Sequence, residues 1–519
     1  MYNLCIERMS LMWDSLPEKE KERYEKLILN FASLSEAFAQ KTENEDTIVA
    51  PIVNSKFQET AFQKCFNAYA EDIANTSYDA SIKTKNKRYL IGIKTFGKNS
   101  KDQKIAQFKS ISGSDEWITI INSIQKRAKN ITDKKKIDDI NRDLYLNLAR
   151  KIAKVRNERI ESSKENLRGF NLENDVQIEA VYHVLMTSSK NETPEISVGE
   201  IGYSPIDIDN IQEVHCTTPK TPQNFVFNDG IHEYKWTAAD SQLYMKFHNS
   251  DIVLKSWPVK YVDDAFAFFE NMNPITNSKV LESHSWLLKV QPYSGFNAFM
   301  GQPKMPRKNK NREKYIQNIK KEYEDKLTQK EVFELTKRLE KLLLSSWNKQ
   351  KDKQEMINVR KDLIDYVNKL GIDSLTENIQ KNVYRPSNEL ELRIPNAWKF
   401  HQTYPDFFVE KSIFKDKTKK CVKNKTNRTF KLRFMPSGDE IDAYINQDSG
   451  KAIESVKRQS ILGKWILRQV FQLEPYEPLT QEKLDEMNIN GIRLTKKEDA
   501  VELSFIKIDL NNKPNDYWS

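Results

Sequence analysis

Apolar residues recur three or four positions apart through Tyr24, Leu27, Ile28, Phe31, Leu34 and Phe38, behind the start signal Ser15, Pro17, Glu18. That spacing predicts an amphipathic helix running to Gln40. A second helix is expected over Phe57–Ala74. Two apolar runs of strand length follow, Tyr78–Ile82 and Arg88–Thr95, joined by the turn-like KTKNK. Helices are expected again over Lys101–Ser110, Asp115–Ala128 and Ile137–Ile160, the last rich in opposite charges four residues apart.

From 176 to 290 the pattern changes to short runs broken by Asn, Gly, Asp, Ser and Pro: Val181–Met186, Glu195–Ile201, Phe225–Phe227, Glu233–Trp236, Leu243–Phe247 and Ile252–Trp257. These read as strands that extend the first domain. Lys304–Leu370 is rich in Lys and Glu, with helical spacing through Tyr315, Ile319, Tyr323, Leu327, Val332, Leu335, Leu339, Leu342 and Leu343. A long helical connector is expected there rather than a coiled coil, because the seam is short and irregular. Beyond it, Thr429–Phe434 and Ile441–Asn446 alternate around the Pro436–Glu440 turn, Gly463–Leu473 reads as helical, and Ile492–Thr495 with Val501–Ile508 reads as a second hairpin.

Length adds a domain count: 519 residues exceed what one core usually organises, so two or three domains are expected. The formal charge of +9 is modest for such a chain, but the cations cluster. DKKK spans Asp133–Lys136, KMPRKNKNREK spans Lys304–Lys314, and Lys415–Arg433 carries nine basic residues against one Asp. Runs of this kind, interleaved with Asn, Thr and Ser, suit phosphates, because each neutralised phosphate releases a counterion. The four cysteines, Cys5, Cys65, Cys216 and Cys421, form no CxxC pair, which argues against a disulfide framework or structural zinc. The start of the chain is too charged for a signal peptide and no run is long enough to span a membrane, so a cytoplasmic protein is expected.

The C-terminal third carries a more specific signal. It reads ELRIPNAWKFHQTYPDFFVEKSIF from Glu391, then SGDEIDAYINQDSGKAIES, LGKWILRQV and NGIRLTK. In that order these motifs resemble the C-terminal DNA-recognition domain of BfiI-like restriction endonucleases, a pseudobarrel also seen in plant transcription factors and in the effector part of EcoRII. The resemblance implies two loop arms that grip the major groove of double-stranded DNA. The first would be Lys415–Arg433 and the second would lie around Gln447–Lys464. Arg and Lys donate to guanine, and Asn and Gln pair with adenine. The candidates are therefore Lys419, Lys420, Lys423, Asn424, Lys425, Asn427, Arg428, Gln447, Lys451, Ser455, Lys457 and Gln459. Trp398, His401, Phe407, Phe408, Trp465 and Leu467 are expected to pack the barrel.

Many relatives with that domain carry a phospholipase-D-type nuclease marked by His-x-Lys. None of the six histidines here is followed by x-Lys. The stretch SYDASIKTKNKRYLIGIKTFG instead resembles the PD-(D/E)XK nuclease signature, with Asp79 on one short strand and Lys94 on the next. That chemistry uses carboxylates to hold Mg²⁺ against a scissile phosphate and a lysine beside the attacking water. Asp79 and Glu59 are the expected metal ligands, and Asp79, Lys94 and Glu59 the catalytic set. The second acid of the signature is replaced by Gly92, with Glu71, Asp72, Gln103 and Glu59 as local options for compensation.

The expected architecture is α+β and multidomain. Residues 1–300 would form an α/β PD-(D/E)XK-like nuclease domain, with its catalytic core near 57–110 and a β-rich part at 176–290. A charged helical connector at 301–385 would lead to the recognition pseudobarrel at 386–519. The expected function is that of a type II restriction endonuclease, a Mg²⁺-dependent hydrolase of duplex DNA. A homodimer and a cognate DNA methyltransferase as genetic partner would go with it. The alternatives are a non-catalytic DNA-binding protein, favoured by Gly92, and a modification-dependent endonuclease. No GxxxxGK[ST] loop points to ATP.

Overall fold

The apolar runs on either side of KTKNK pair as antiparallel strands, as their length and composition predict. In the computed structural model, which describes residues 12–38, 47–70, 78–84, 87–108, 115–170, 177–270, 282–290, 305, 309–347, 352–390, 392–410, 412–415, 419–457 and 459–519, Tyr69–Ala70 (β1), Ala80–Lys83 (β2) and Lys87–Gly97 (β3) lie side by side. Strand β3 is buried on both faces, with Tyr89, Ile91 and Ile93 in one apolar cluster and Leu90 in another. That explains its near-continuous hydrophobic run.

The remaining strands of the first part are Asp102–Gln107 (β4), Gln177–Thr187 (β5), Glu195–Gly202 (β6), Gln212–Cys216 (β7), Phe225–Asn228 (β8), Glu233–Thr237 (β9), Gln242–Lys246 (β10) and Val253–Pro258 (β11). A six-stranded sheet runs β1-β2-β3-β5-β6-β11, and a five-stranded antiparallel sheet runs β4-β10-β9-β8-β7. Strands β3 and β5 are parallel, from Lys87 opposite Gln177 to Gly97 opposite Thr187. A parallel pair requires a long crossover. Here it contains the helices Asp115–Arg127 and Lys134–Arg168. The longer helix is capped by Asp133, which accepts from Lys136 N at 3.0 Å, and ends at Gly169, whose φ of 76° suits glycine. The helix Ser55–Phe66 covers the other face of β3, its Ala61, Phe62, Cys65 and Phe66 sharing a core with Ile91 and Ile93.

Two expectations for this part are corrected. The expected helix Lys101–Ser110 is strand β4. Its five residues paired with β10 give the backbone an external partner, and Asp102 meets Lys235 at 2.6 Å, so cross-strand pairing overrides a helix-compatible composition. The helix expected over Phe57–Ala74 stops at Phe66, where Asn67 turns left-handed with a φ of 49°; Tyr69–Ala70 is strand, and 71–74 lie outside the described residues. The first helix spans Glu18–Ala32 and is followed by a 3-10 turn at Ser35–Phe38.

Later strands are Ser283–Leu287 (β12), Leu392–Arg393 (β13), Thr429–Phe434 (β14), Asp439–Asn446 (β15), Ala452–Ser455 (β16), Gly491–Lys496 (β17) and Val501–Ile506 (β18). The whole is a mixed α+β protein, 40% helical and 25% strand, with a curled half-barrel sheet. It divides into two compact units: Met1–Trp286 with Arg433–Glu440 and Glu482–Tyr517, and Leu287–Leu432 with Ile441–Gln481 and Trp518–Ser519. In the first, β17 and β18 form the second expected hairpin, Gly491 opposite Ile506. In the second, β16 lies between β15 and β13.

The lysine-rich stretch is no single long helix. Asn309–Tyr323, Gln329–Leu343, Lys353–Lys369 and Asp373–Val383 are four helices around a core that includes Ile319, Leu339, Leu363 and Ile379. Thr328 and Glu331 cap the second of them reciprocally, which breaks the run after Tyr323. Among the described residues no helix is long and apolar enough to cross a membrane.

One buried acid in the first unit sets a pH dependence. Glu200 on β6, 4% exposed, accepts from Met12 N at 2.6 Å and Trp13 N at 2.9 Å. Burial pushes its carboxyl up to about 7 from the ordinary 4.5. The unfolded chain therefore releases this proton first as pH rises, and stability falls between those values and then levels off. At about 1.4 kcal/mol per tenfold the loss is up to roughly 3 kcal/mol. Urea unfolding at about pH 5 and about pH 8 is expected to show this decline in the wild type and a flatter profile in Glu200→Gln.

Candidate active site and nucleic-acid interface

Asp79 immediately precedes β2, and the β2–β3 register brings it against β3. Its N–H donates to Ile91 O at 2.9 Å. Its carboxylate Oδ2 accepts from Ile93 N at 2.6 Å and lies 3.4 Å from Lys94 Nζ. The side chains are 23% and 28% exposed, so the pair is reachable from solvent while its backbone is fixed in a sheet. The acid and the lysine singled out from the sequence are thus an ion pair across adjacent strands. Glu59, on the helix Ser55–Phe66, pairs with Lys56 one turn back at 2.8 Å. Its neighbour Gln58, fully buried, also reaches β3, its side-chain carbonyl accepting from the Thr95 hydroxyl. Sequence reasoning missed Gln58; an amide at a core-facing position of an apolar helix was the available signal.

Gly92, where the resemblance implies a second acid, faces Tyr182 directly across the parallel β3–β5 pair. A Cβ at Gly92 would lie 2.4 Å from the Tyr182 ring, well inside contact distance. The ring has little room to yield. Its hydroxyl accepts from Arg156 of the long helix at 2.8 Å, and Tyr203 meets its face edge-on with centroids 5.5 Å apart. The Arg156 guanidinium is buried over the rings of Tyr203 and Tyr78, at 5.4 and 5.7 Å. Burial pushes the Tyr78 and Tyr182 phenols up, so both stay protonated.

Among the described residues, the expected Mg²⁺ centre does not fit this arrangement. A Mg²⁺ site draws on carboxylate and phosphate oxygens. Here one carboxylate, Asp79, faces an ammonium, and position 92 is closed to another. Among the described residues no group of three or more His, Cys, Asp or Glu could hold a metal ion. Glu71 and Asp72, named as compensating acids, lie outside the described residues. Gln103 lies on β4 opposite Met245 of β10.

The second unit carries the candidate arms. Lys419, Lys420, Lys423, Asn424, Lys425, Asn427 and Lys457 are exposed, while Gln447, Lys451 and Ser455 are half-buried. The side chain of Gln459 lies outside what is described. The two arms are braced against each other: Ser449 N donates to Lys419 O at 2.6 Å, and the Cys421 thiol to Gln447 O at 3.2 Å. Aromatic rings steady two cations, with Lys419 Nζ 5.8 Å from the Trp398 centroid and Lys425 Nζ 4.9 Å from that of Tyr444.

Glu454 on β16 ties the second arm down. It accepts from the Tyr444 hydroxyl at 2.9 Å, from Asn446 Nδ2 at 3.0 Å and from Gln447 Nε2 at 3.4 Å. Neither Glu454 nor Tyr444 was singled out from the sequence, since each is an ordinary strand residue until its cross-strand register is known. Arg428 is the exception among the candidate cations. It is 4% exposed, and its guanidinium donates to Ile445 O and to Asn446 Oδ1, a grip on the adjacent strand. His401, by contrast, is in the core as expected, Nε2 lying 2.9 Å from Gly450 O.

No family model matches this chain, and no curated protein matches it in sequence.

These placements separate two kinds of arm residue. Arg428→Ala is expected to cost about 1–3 kcal/mol, because buried acceptors lose their donor. Lys425→Ala is expected to stay within about 0.5 kcal/mol of wild type. Urea unfolding of both variants checks the difference.

Proposed function

We propose that this chain is a sequence-specific endonuclease of the restriction type, acting on double-stranded DNA. The observation that carries the reading is the Asp79–Lys94 pair across adjacent strands, with a helix before the hairpin and a helical crossover to a parallel strand after it. That order of elements supports a PD-(D/E)XK-like core. Lys94 offers a cation to a non-bridging phosphate oxygen, where negative charge grows as the phosphodiester is attacked. Asp79, fixed by Ile93 N–H, offers an acceptor that orients a water molecule. The braced basic arms of the second unit support the recognition of duplex DNA, lysines positioning the phosphates and amides reading base edges.

Incubation with plasmid and phage DNA, methylated and unmethylated, in the presence of Mg²⁺ tests this. Wild type is expected to give discrete fragments, and Asp79→Ala and Lys94→Ala to lower the rate by about a hundredfold or more, the scale of a lost general base or charge stabiliser. A second reading, a DNA-binding protein without catalysis, is favoured by the closed position at Gly92. Wild type that binds duplex DNA yet cuts none of these substrates would transfer the conclusion to it. On either reading, Lys425→Ala and Lys423→Ala are each expected to lower the slope of log affinity against log salt by about 1, measured by fluorescence anisotropy over a salt series.

A further inference from the structure

We propose that Tyr182, anchored by the buried Arg156, occupies the place of a second metal-ligating acid, leaving a centre with one carboxylate among the described residues, which retains no divalent cation in the free protein. The inference rests on reading the Asp79–Lys94 pair as the nuclease centre. In a strand, residues two apart share a face, so a side chain at 92 would stand beside Lys94. That volume is filled: the ring of Tyr182 lies 2.4 and 2.5 Å from the point where a Cβ would be. The ring is held by the hydrogen bond from Arg156 and by the tilted ring of Phe247, whose centroid is 5.2 Å away.

Charge works in the same direction as volume. A cation arriving at Asp79 meets the Lys94 ammonium 3.4 Å from the carboxylate, and like charges at that range repel. The nearest hydroxyl on the blocking ring is committed to a guanidinium, itself a positive charge buried among phenols. Oxygen ligands beyond Asp79 must therefore come from outside this face of the sheet, as phosphate oxygens do in many Mg²⁺ sites.

The test is Mn²⁺ titration of the full chain without DNA, following free Mn²⁺ by electron paramagnetic resonance. Wild type and Asp79→Asn are expected to give the same isotherm. Gly92→Asp alone is expected to gain nothing, because the ring remains. Gly92→Asp with Tyr182→Ala is expected to bind about tenfold more tightly than wild type, as a second carboxylate enters the site. A wild-type isotherm that Asp79→Asn weakens about tenfold or more would overturn the inference, and so would a gain by Gly92→Asp alone. The first comparison needs neither redesigned variant to fold. Cleavage assays on the same preparations bear only on the nuclease reading, so the two can fail separately.

Discussion

Burial of β3 on both faces is the constraint on which the first unit depends. Leu90, Ile91 and Ile93 each contribute on the order of 1.5–3 kcal/mol by leaving water. Satisfying the backbone of such a strand requires neighbours on both edges, here β2 and β5. The β2 edge brings Asp79 to the Ile93 amide and so to Lys94. The β5 edge brings Tyr182 across from Gly92. One strand therefore both assembles the acid–lysine pair and closes the place beside it.

The second unit solves a different problem, that of exposing many cations without losing their geometry. Lysines on a free loop would spread by mutual repulsion, and ordering them on a ligand would cost side-chain entropy. Here the loop is bonded to the neighbouring arm through the Lys419 carbonyl and the Cys421 thiol, while Trp398 and Tyr444 lie under two of the ammonium groups. Glu454 adds an acceptor that takes two donors from β15 and one from Gln447 of its own arm. Much of the arm's order is thus present before any ligand arrives, so binding draws less on conformational entropy. The sacrifice is Arg428, a basic residue spent on holding the strand rather than on solvent.

How far the sequence could be read follows from how local each interaction is. The β2–β3 hairpin was legible, because strand length, apolar content and a turn-like link lie within a few residues, and with it came Asp79 and Lys94. The helix Lys134–Arg168 and the strands β5, β6, β8, β9, β10 and β11 were legible for the same reason. Strand β4 was not, since its only reason to be extended is a partner at Gln242–Lys246. The first two of the four helices between Asn309 and Val383 showed their apolar spacing, but not the Thr328 cap that divides them. Tyr182 against Gly92 was out of reach: the two are joined by a parallel register across a crossover that contains two helices. The missing acid was visible as a gap, whereas what fills the gap belongs to tertiary structure.

That filling explains why Gly92 cannot be treated as an isolated replacement. Any side chain there meets an aromatic ring, and displacing the ring would take from Arg156 the hydroxyl to which it donates. A buried guanidinium that loses an acceptor is costly, more so than a neutral donor would be. Position 92, Tyr182 and Arg156 consequently form one unit of sequence, stable as glycine, tyrosine and arginine together. Glycine at this position is not merely compatible with the surrounding core; the core is built around its lack of a side chain.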